Sequence, residues 1–408
     1  MQILDTTQQQ MFALLRSSLW GVDKFPLQIS GDVDWEAVYK ELKDQTVNRL
    51  VADVLCPLNT PVSQKCLMDT TYGIVLWHSY MKAQCSLHKI FEEHNVSYAV
   101  LKGASSAVNY PKPTYRSMGD IDVLVRPEQF ENVINLLKDK GYTVKENHSF
   151  RHAELLKDSI EIEVHRCYSM FSDKSVFEYF ENELLMGLDN TIETQIEGYT
   201  FNTFSPIENG LVLLEHVDHH LQGGIGLRQI VDWMVYVDKY VSDDVWENTF
   251  GPKAKKTGLE TLAITITRMC QMYLGLREDI TWCNKAEDQL CTELMKIILA
   301  RGNFGHKDKA ANKIATVLHY TSGIKGTFRM LQYRGEMFWP AVKKYPWLKP
   351  FAWLHHLANY IRKGFKIKNP FRSFVKQVRA TAKQKDVYEK LGATKKSEGI
   401  ETPQGKRF

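Results

Sequence analysis

The central part of the chain has a β-strand pattern between two regions with a helical pattern, and this order restricts the fold more than any other feature. Apolar residues recur at helical spacing over about residues 5–93, and the same periodicity returns over about residues 206–331. Over residues 96–204 the apolar runs are short and rich in β-formers. The order predicts an α+β fold in which a small mixed β-sheet is flanked by N-terminal and C-terminal helical regions.

The same changes in pattern predict four segments. Residues 1–94 form an N-terminal helical region, and residues 95–205 form the α+β core. Residues 206–335 form a second helical region, which contributes to binding of substrate or nucleotide. Residues 336–408 form an aromatic and basic tail, and the polar composition of its end predicts disorder there.

Within the core, four segments have a strand pattern and one has a helical pattern. The helix is expected over residues 127–140, with proline in its first turn and Gly141 after its last residue. The expected strands are residues 97–101, 120–125, 142–146 and 159–164.

Two aspartates in the second expected strand carry the strongest chemical signal. Because alternate side chains of a strand share a face, Asp120 and Asp122 project together while the apolar residues between and after them pack into the core. Two carboxylates held side by side repel each other unless a cation neutralises them. Mg²⁺, for which Mn²⁺ can substitute, prefers carboxylate oxygens and substrate phosphates. An isolated pair of this kind is also common at polar strand ends, so the flanking residues decide the interpretation.

Residues on both sides of the aspartate pair favour phosphate and metal binding. Gly103 follows the first expected strand, and Ser105 and Ser106 come directly after, so backbone amides and hydroxyls at a helix start could hold phosphate oxygens. In the fourth expected strand, Glu161 and Glu163 share one face and supply a third carboxylate.

Taken together, these residues resemble the signature of nucleotidyltransferases of the DNA polymerase β superfamily. A longer series of motifs, spread over about residues 30–355, resembles a large bacterial family described as uncharacterised nucleotidyltransferases. The motifs are Leu101-Lys-Gly, Tyr110-Pro, Arg116, Asp120-Ile-Asp-Val-Leu-Val, Glu163-Val-His and Gly224-Ile-Gly-Leu-Arg-Gln-Ile-Val-Asp-Trp. One departure is that the superfamily usually has Gly-Gly or Gly-Ser at the glycine turn, whereas Ala104 follows Gly103 here.

The resemblance implies transfer of a nucleoside monophosphate from a nucleoside triphosphate, with ATP as the expected donor, to a hydroxyl group, with release of pyrophosphate. Asp120 and Asp122 would bridge two cations about 3.5 to 4 Å apart. Glu163 would complete the cation that activates the acceptor hydroxyl, and Glu161 is the weaker candidate for this role.

Four further residues are expected to bind the nucleotide or to support the site. Lys102 and Arg116 are candidates for a cationic clamp on the phosphates, where charge builds up in the transition state. Arg228 and Asp232, which the resembling family repeats, are either binding residues or an ion pair that fixes their helix against the core.

A group of histidines and acids lies shortly before Arg228. His216 and His220 are four residues apart and would share a helix face, which is also a spacing of metal ligands. Three interpretations stay open: a structural zinc site, helix histidines with a structural role, and side chains that face the substrate. The group comprises Glu215, His216, Asp218, His219 and His220.

The expected partners are a nucleoside triphosphate and an unidentified acceptor, either a small molecule or a protein. Nucleic acid is disfavoured because the net charge of +4 is small and no basic groove interleaved with aromatics is visible around the core. Over residues 361–396 about twelve Lys or Arg stand against two acids, so the tail could lie on an anionic membrane surface. The preferred interpretation of the tail is a solvated basic face beside packed aromatics. A different class of function is a nucleotide-binding module without catalysis.

The chain carries no sequence sign of secretion or membrane insertion. Its first residues lack a basic segment followed by an apolar one, and no apolar run reaches the roughly 18 residues that span a bilayer. Seven cysteines form no CxxC pair. We therefore expect a cytoplasmic protein with free thiols.

Overall fold

A computed structural model describes the chain at residues 4–29, 31–145, 150–171, 173–308, 332, 335–336, 339–355, 358 and 386–392. The predictions of a basic face over most of residues 361–396 and of a disordered end lie outside the described residues. The division of the chain into four segments stays a prediction.

Helices make up most of the described chain and lie before and after the strands. No helix among the described residues has both the length and the apolar character needed to cross a lipid bilayer. The α-helices described are α1 (Thr6–Trp20), α2 (Trp35–Asp44), α3 (Ala52–Leu55), α4 (Ser63–Glu93), α5 (Ala104–Ala107), α6 (Phe130–Asp139), α7 (Lys174–Gly187), α8 (Pro206–Gly223), α9 (Leu227–Tyr240), α10 (Asp243–Val245), α11 (Gly251–Lys256), α12 (Glu260–Leu274), α13 (Asp288–Arg301) and α14 (Pro340–Lys344). Shorter turns of 3₁₀ or π geometry are Asn48–Val51, Cys56–Leu58, Pro113–Tyr115, Leu188–Asn190, Trp246–Phe250, Trp282–Lys285, Asn303–Asp308 and Pro346–Phe351.

The strands of the described residues form one mixed sheet. They are β1 (Tyr98–Val100), β2 (Ile121–Val125), β3 (Thr143–Val144), β4 (His152–Lys157), β5 (Ile160–His165), β6 (Ile192–Ile196) and β7 (Tyr199–Thr203). Their order across the sheet is β3-β4-β5-β2-β1-β7-β6. Strand β2 is parallel to β5 and β1 is parallel to β7, while the other neighbours are antiparallel. The predicted α+β fold, with a small mixed sheet and flanking helices, is confirmed.

The two faces of β2 pack against different layers. Ile121, Val123 and Val125 join a hydrophobic cluster with α4 and α6. Leu124 belongs instead to the larger cluster that contains the N-terminal helices and helices α8, α9, α12 and α13. Because side chains alternate along a strand, Asp122 shares the face of Leu124, so the aspartates lie on the side of the sheet that faces α8 and α9.

The strand predictions hold for the three central strands β5, β2 and β1 and mostly fail for the strands on either side of them. The segments expected at 97–101, 120–125 and 159–164 each contain a strand, whereas the one at 142–146 shortens to β3. The helix expected at 127–140 is shorter in the structure and corresponds to α6, which begins at Phe130 because Pro127 lies in a turn before it. Strands β4, β6 and β7 and helix α7 were not predicted. Strand β6 is mostly exposed, so it lacks the apolar alternation that marks a half-buried strand.

Glycines between α8 and α9 allow this turn to pack closely against two other segments. A Cβ at Gly224 would lie 2.5 Å from the backbone nitrogen of Gly305, and one at Gly226 would lie 3.1 Å from the carbonyl oxygen of Gln45. The buried side chain of Gln45 also accepts a hydrogen bond of 3.2 Å from the backbone nitrogen of Leu227. The start of α9 is therefore fixed against the N-terminal helices.

Candidate active site

The two aspartates lie at the start of β2, where the strand leaves the long loop after α5. Asp122 is buried, and Asp120 is partly exposed. The charge of Asp122, together with burial, raises the pKa of Asp120 to about 6, and the charge of Glu163 acts in the same direction. The charges of Asp122 and Glu163 thus both disfavour ionisation of Asp120.

Glu163 owes its position to the pairing of two strands. It lies opposite Asp122 in the parallel register of β2 and β5. Glu161, on the same face of β5, is bonded instead to Lys145, whose Nζ lies 2.6 Å from Glu161 Oε1 and 3.0 Å from Glu154 Oε2. Of the two glutamates, Glu163 is therefore the one directed towards the aspartate pair.

His165 links two of the acids, and sequence reasoning gave it no role. Its Nε2 lies 3.1 Å from Asp122 Oδ1 and 3.3 Å from Glu163 Oε2. Burial alone would lower the pKa of His165, but the hydrogen bonds to these carboxylates raise it, and the bond from His165 lowers the pKa of Glu163. The signal that could have identified this residue is the Glu163-Val-His165 alternation, which places both polar side chains on one face of the strand.

Lys102 supplies a second positive charge at Asp122. Its Nζ lies 3.1 Å from Asp122 Oδ1. Burial would lower the pKa of Lys102, but the charges of Asp122 and Asp120 raise it. Burial would raise the pKa of Asp122, but Lys102 and His165 hold it well below its usual range. Asp122 is therefore ionised and is bonded to the ammonium group of Lys102 and the imidazole of His165.

The glycine turn next to Lys102 leads directly into helix α5, and the two serines of this helix differ in their contacts. Gly103 has a φ of +63°, and a Cβ there would lie 3.4 Å from the side chain of Met118. The Ser105 hydroxyl donates to the carbonyl oxygen of Leu101. The Ser106 hydroxyl is buried and has no hydrogen-bond partner in the described structure. Ser106 is consequently the serine with a group left for a ligand.

Arg116 and Asp232 form a buried ion pair between the loop before β2 and helix α9. Arg116 Nε lies 3.1 Å from Asp232 Oδ1, and Arg116 Nη2 lies 2.8 Å from Asp232 Oδ2. Tyr110 donates a further hydrogen bond of 2.6 Å to the same carboxylate. Asp232 was expected as a binding residue or in an ion pair that fixes its helix; the observed pair joins it to Arg116, and a binding role for either residue stays a prediction.

Arg228, one turn before Asp232, makes a different contact. Its Nη1 donates to the backbone oxygen of Ser117 over 3.3 Å, and its Nε is buried without a hydrogen-bond partner in the described structure. The positive charge of Arg228 lowers the pKa of Asp120, against the larger opposing effects of Asp122 and burial.

The histidine group of α8 includes the imidazole of His216, on which the charge of Lys102 acts. Burial, followed by the charge of Lys102, holds the pKa of His216 well below its usual range, so its imidazole is neutral. The rings of His216 and His220 are 4.4 Å apart. Glu215 Oε1 accepts a hydrogen bond of 3.0 Å from the backbone nitrogen of Met170 and so holds the segment after β5.

Two compact groups of side chains among the described residues have the spacing of metal ligands, within 4.8 Å of one another: His152, Glu163 and His165, and Glu154, Glu161 and Glu163. Both contain Glu163, and neither contains Asp120, Asp122 or the histidines of α8. Glu163 therefore lies between the aspartate pair and the acids of β4 and β5. The second group offers only carboxylate oxygens, which are the ligands that a hard divalent cation such as Mg²⁺ or Mn²⁺ prefers. The pKa of Asp120, which Asp122 and Glu163 raise, also favours a cation at the aspartate pair.

Comparisons with known proteins relate the chain to nucleotidyltransferases. No curated protein matches it. Among solved structures, one that is similar is an antigenic nucleotidyltransferase-like protein from Paracoccidioides brasiliensis, at 15% sequence identity and a TM-score of 0.33, over 49% of this chain and 94% of that one. Residues 31–275 match the family described as uncharacterised nucleotidyltransferase. Since this match covers more than half of the chain, the protein belongs to that nucleotidyltransferase family.

Proposed function

We propose that the protein is a metal-dependent nucleotidyltransferase that moves a nucleoside monophosphate from a nucleoside triphosphate, with ATP as the expected donor, to a hydroxyl of a small-molecule or protein acceptor and releases pyrophosphate. The observation that supports the proposal is the register pairing of Asp122 with Glu163 on adjacent parallel strands, next to Asp120. Asp122 and Glu163 contact one nitrogen of His165, and both raise the pKa of Asp120. Membership of the family supports nucleotidyl transfer in general.

In this proposal Asp120, Asp122 and Glu163 hold the divalent cation. A bound Mg²⁺ would neutralise charge on the phosphates and make the acceptor hydroxyl a better nucleophile. The pKa of Glu163 is lowered by His165, so Glu163 is ionised at neutral pH and has the charge that a metal ligand or a proton acceptor needs. His165 keeps the carboxylates of Asp122 and Glu163 at a fixed separation.

Lys102, Arg228 and Ser106 are proposed to bind the phosphates. Negative charge on the phosphoryl oxygens grows in the transition state, so fixed cations beside them lower the barrier. Lys102 is held at the aspartate pair by Asp122, and Arg228 has a buried N–H without a partner in the described structure. Gly103 lets the backbone turn towards these groups, and Arg116 with Asp232 holds the loop before β2 against α9.

The test is a search for the adduct. The protein is incubated with each labelled triphosphate, Mg²⁺ and a cell extract, and mass spectrometry is used to find an acceptor whose mass has increased by one nucleoside monophosphate. Release of pyrophosphate is followed in parallel. Formation of both products is the expected result. If no triphosphate gives either product while ATP still binds, the protein is a nucleotide-binding module without catalysis. The reason to consider this alternative is that the glycine turn lacks the usual Gly-Gly or Gly-Ser.

A further inference from the structure

Arg49 reaches from the N-terminal helices to helix α4. It lies in the turn Asn48–Val51, and its side chain crosses helix α4 at Gly73. A Cβ at Gly73 would lie 2.0 Å from Arg49 Nη1 and 2.8 Å from Arg49 Cζ. The guanidinium group therefore occupies the space that any larger residue at position 73 would fill.

The loop that carries Arg116 is anchored to the same region of the protein. Tyr115 donates a hydrogen bond of 2.7 Å to Asp53 Oδ1, and Tyr80 of α4 donates one of 2.8 Å to the backbone oxygen of Gly119. Burial lowers the pKa of Arg49 to about 10, and the nearby charges of Arg116 and Arg228 add to this effect. Three guanidinium groups thus lie within electrostatic range of one another.

These three arginines have one carboxylate partner among the described residues. Asp232 pairs with Arg116, and no described acid forms an ion pair with Arg49 or Arg228. Two polar atoms beside them, Arg228 Nε and Ser117 Oγ, are buried without a hydrogen-bond partner in the described structure. Buried polar groups and gathered like charges are both unfavourable without a partner, which indicates an anionic ligand at this place.

We propose that Arg49 and Arg228 form a phosphate subsite that binds the terminal phosphates of the donor triphosphate. The backbone oxygen of Ser117, three residues before Asp120, accepts hydrogen bonds from both Arg116 and Arg228. The segment that carries Arg49 and Asp53 is joined to the same loop through Tyr115. A triphosphate whose reacting phosphate lies at the acids would extend along this loop to Arg228 and Arg49. Arginine suits this position because its planar group binds two phosphate oxygens at once. The inference rests on the proposed function, since its ligand is the donor nucleotide.

Binding without turnover tests the subsite. Calorimetric titrations use inorganic tripolyphosphate, ATP and AMP, each with Mg²⁺. The substitution Arg49→Gln should lower the affinity for ATP and for tripolyphosphate about 10-fold or more, since a charge-assisted hydrogen bond is lost. The affinity for AMP should stay unchanged. Gly73→Ala should give the same selective loss although Arg49 is retained, because the new methyl group displaces its guanidinium. Arg49→Lys should lower the affinity for ATP less than Arg49→Gln does.

Two control variants separate this effect from charge and helix stability in general. Lys40→Gln removes one positive charge from an exposed ion pair of α2 with Asp44. Ser79→Ala raises the helix propensity of α4 at an exposed position, as Gly73→Ala does at a buried one. Lys40→Gln and Ser79→Ala should bind ATP with the same affinity as the unaltered protein. Thermal melts should show that all variants are folded.

The outcomes distinguish the subsite from the proposed function. If the unaltered protein transfers nucleotide and Arg49→Gln keeps full affinity for ATP and tripolyphosphate, the subsite is wrong and the function stands. Suppose instead that Arg49→Gln and Gly73→Ala selectively lose affinity for ATP and tripolyphosphate, but the unaltered protein transfers nothing from any triphosphate. The subsite is then supported and the proposed function is wrong. If Arg49→Gln raises only the KM for the acceptor, the subsite binds a phosphate of the acceptor, and the assignment to the donor is wrong.

Discussion

Asp122 and Glu163 are register partners on two adjacent parallel strands. Directly paired residues of a parallel sheet point to the same face, so the pairing of β2 with β5 brings together two acids that are far apart in the sequence. His165, two residues after Glu163, contacts both carboxylates through one nitrogen atom. The third acid is thus positioned by the core of the sheet rather than by a loop.

Asp122→Asn is expected to abolish metal-dependent turnover. The substitution keeps the volume of the side chain but removes the charge that Lys102 and His165 contact. Loss of a metal ligand should cost at least as much as loss of a supporting residue, which is up to about 100-fold. Pyrophosphate release from labelled triphosphate with Mg²⁺ measures the effect, and circular dichroism checks the fold. Unchanged release in a folded variant would place the chemistry elsewhere.

The two glutamates of β5 are expected to differ. Glu163→Gln should reduce turnover by about 100-fold or more, for the same reason as at Asp122. Glu161→Gln is the matched control, because Glu161 lies on the same face of the same strand but is bonded to Lys145. It should keep turnover within about twofold, because exposed ion pairs contribute little. A larger loss in Glu161→Gln than in Glu163→Gln would reverse the two roles.

His165→Gln is expected to change the metal requirement more than the rate at saturating metal. His165 positions Asp122 and Glu163, and supporting residues of this kind change metal affinity by about 10- to 100-fold. Titration of turnover with Mg²⁺ should show a higher half-saturating concentration, and excess Mg²⁺ should restore most of the rate. A fall in the rate that excess metal does not restore would indicate that His165 acts on the substrate instead.

The residues of the aspartate strand could be predicted because their pattern is local. Asp120 and Asp122 alternate with apolar residues, and the two-residue period of a strand is enough to assign them to one face. The distinction between Glu161 and Glu163 could not be made with the same certainty. It depends on Lys145, which reaches Glu161 from the neighbouring part of the sheet.

Other features of the site depend on contacts between distant segments. Asp232 and Arg228 share a motif on α9, and the sequence suggested that they act together. In the fold Asp232 pairs with Arg116, and Arg228 turns to the carbonyl group of Ser117. Arg49 carries no local signal at all, because its place is set by the packing of the N-terminal helices and by the absence of a side chain at Gly73.

Asp232→Asn is expected to lower the free energy of unfolding by about 3 to 5 kcal/mol, since it leaves the buried guanidinium of Arg116 without its counter-ion. Urea denaturation measures this loss. Asp44→Asn breaks the exposed pair with Lys40 and should cost less than about 1 kcal/mol, because solvent screens that interaction. Arg116→Lys keeps the charge but loses the two-atom contact with Asp232. If Arg116 is mainly structural, this variant loses stability while its KM for ATP stays unchanged. A higher KM for ATP at full stability would instead identify Arg116 as a phosphate ligand.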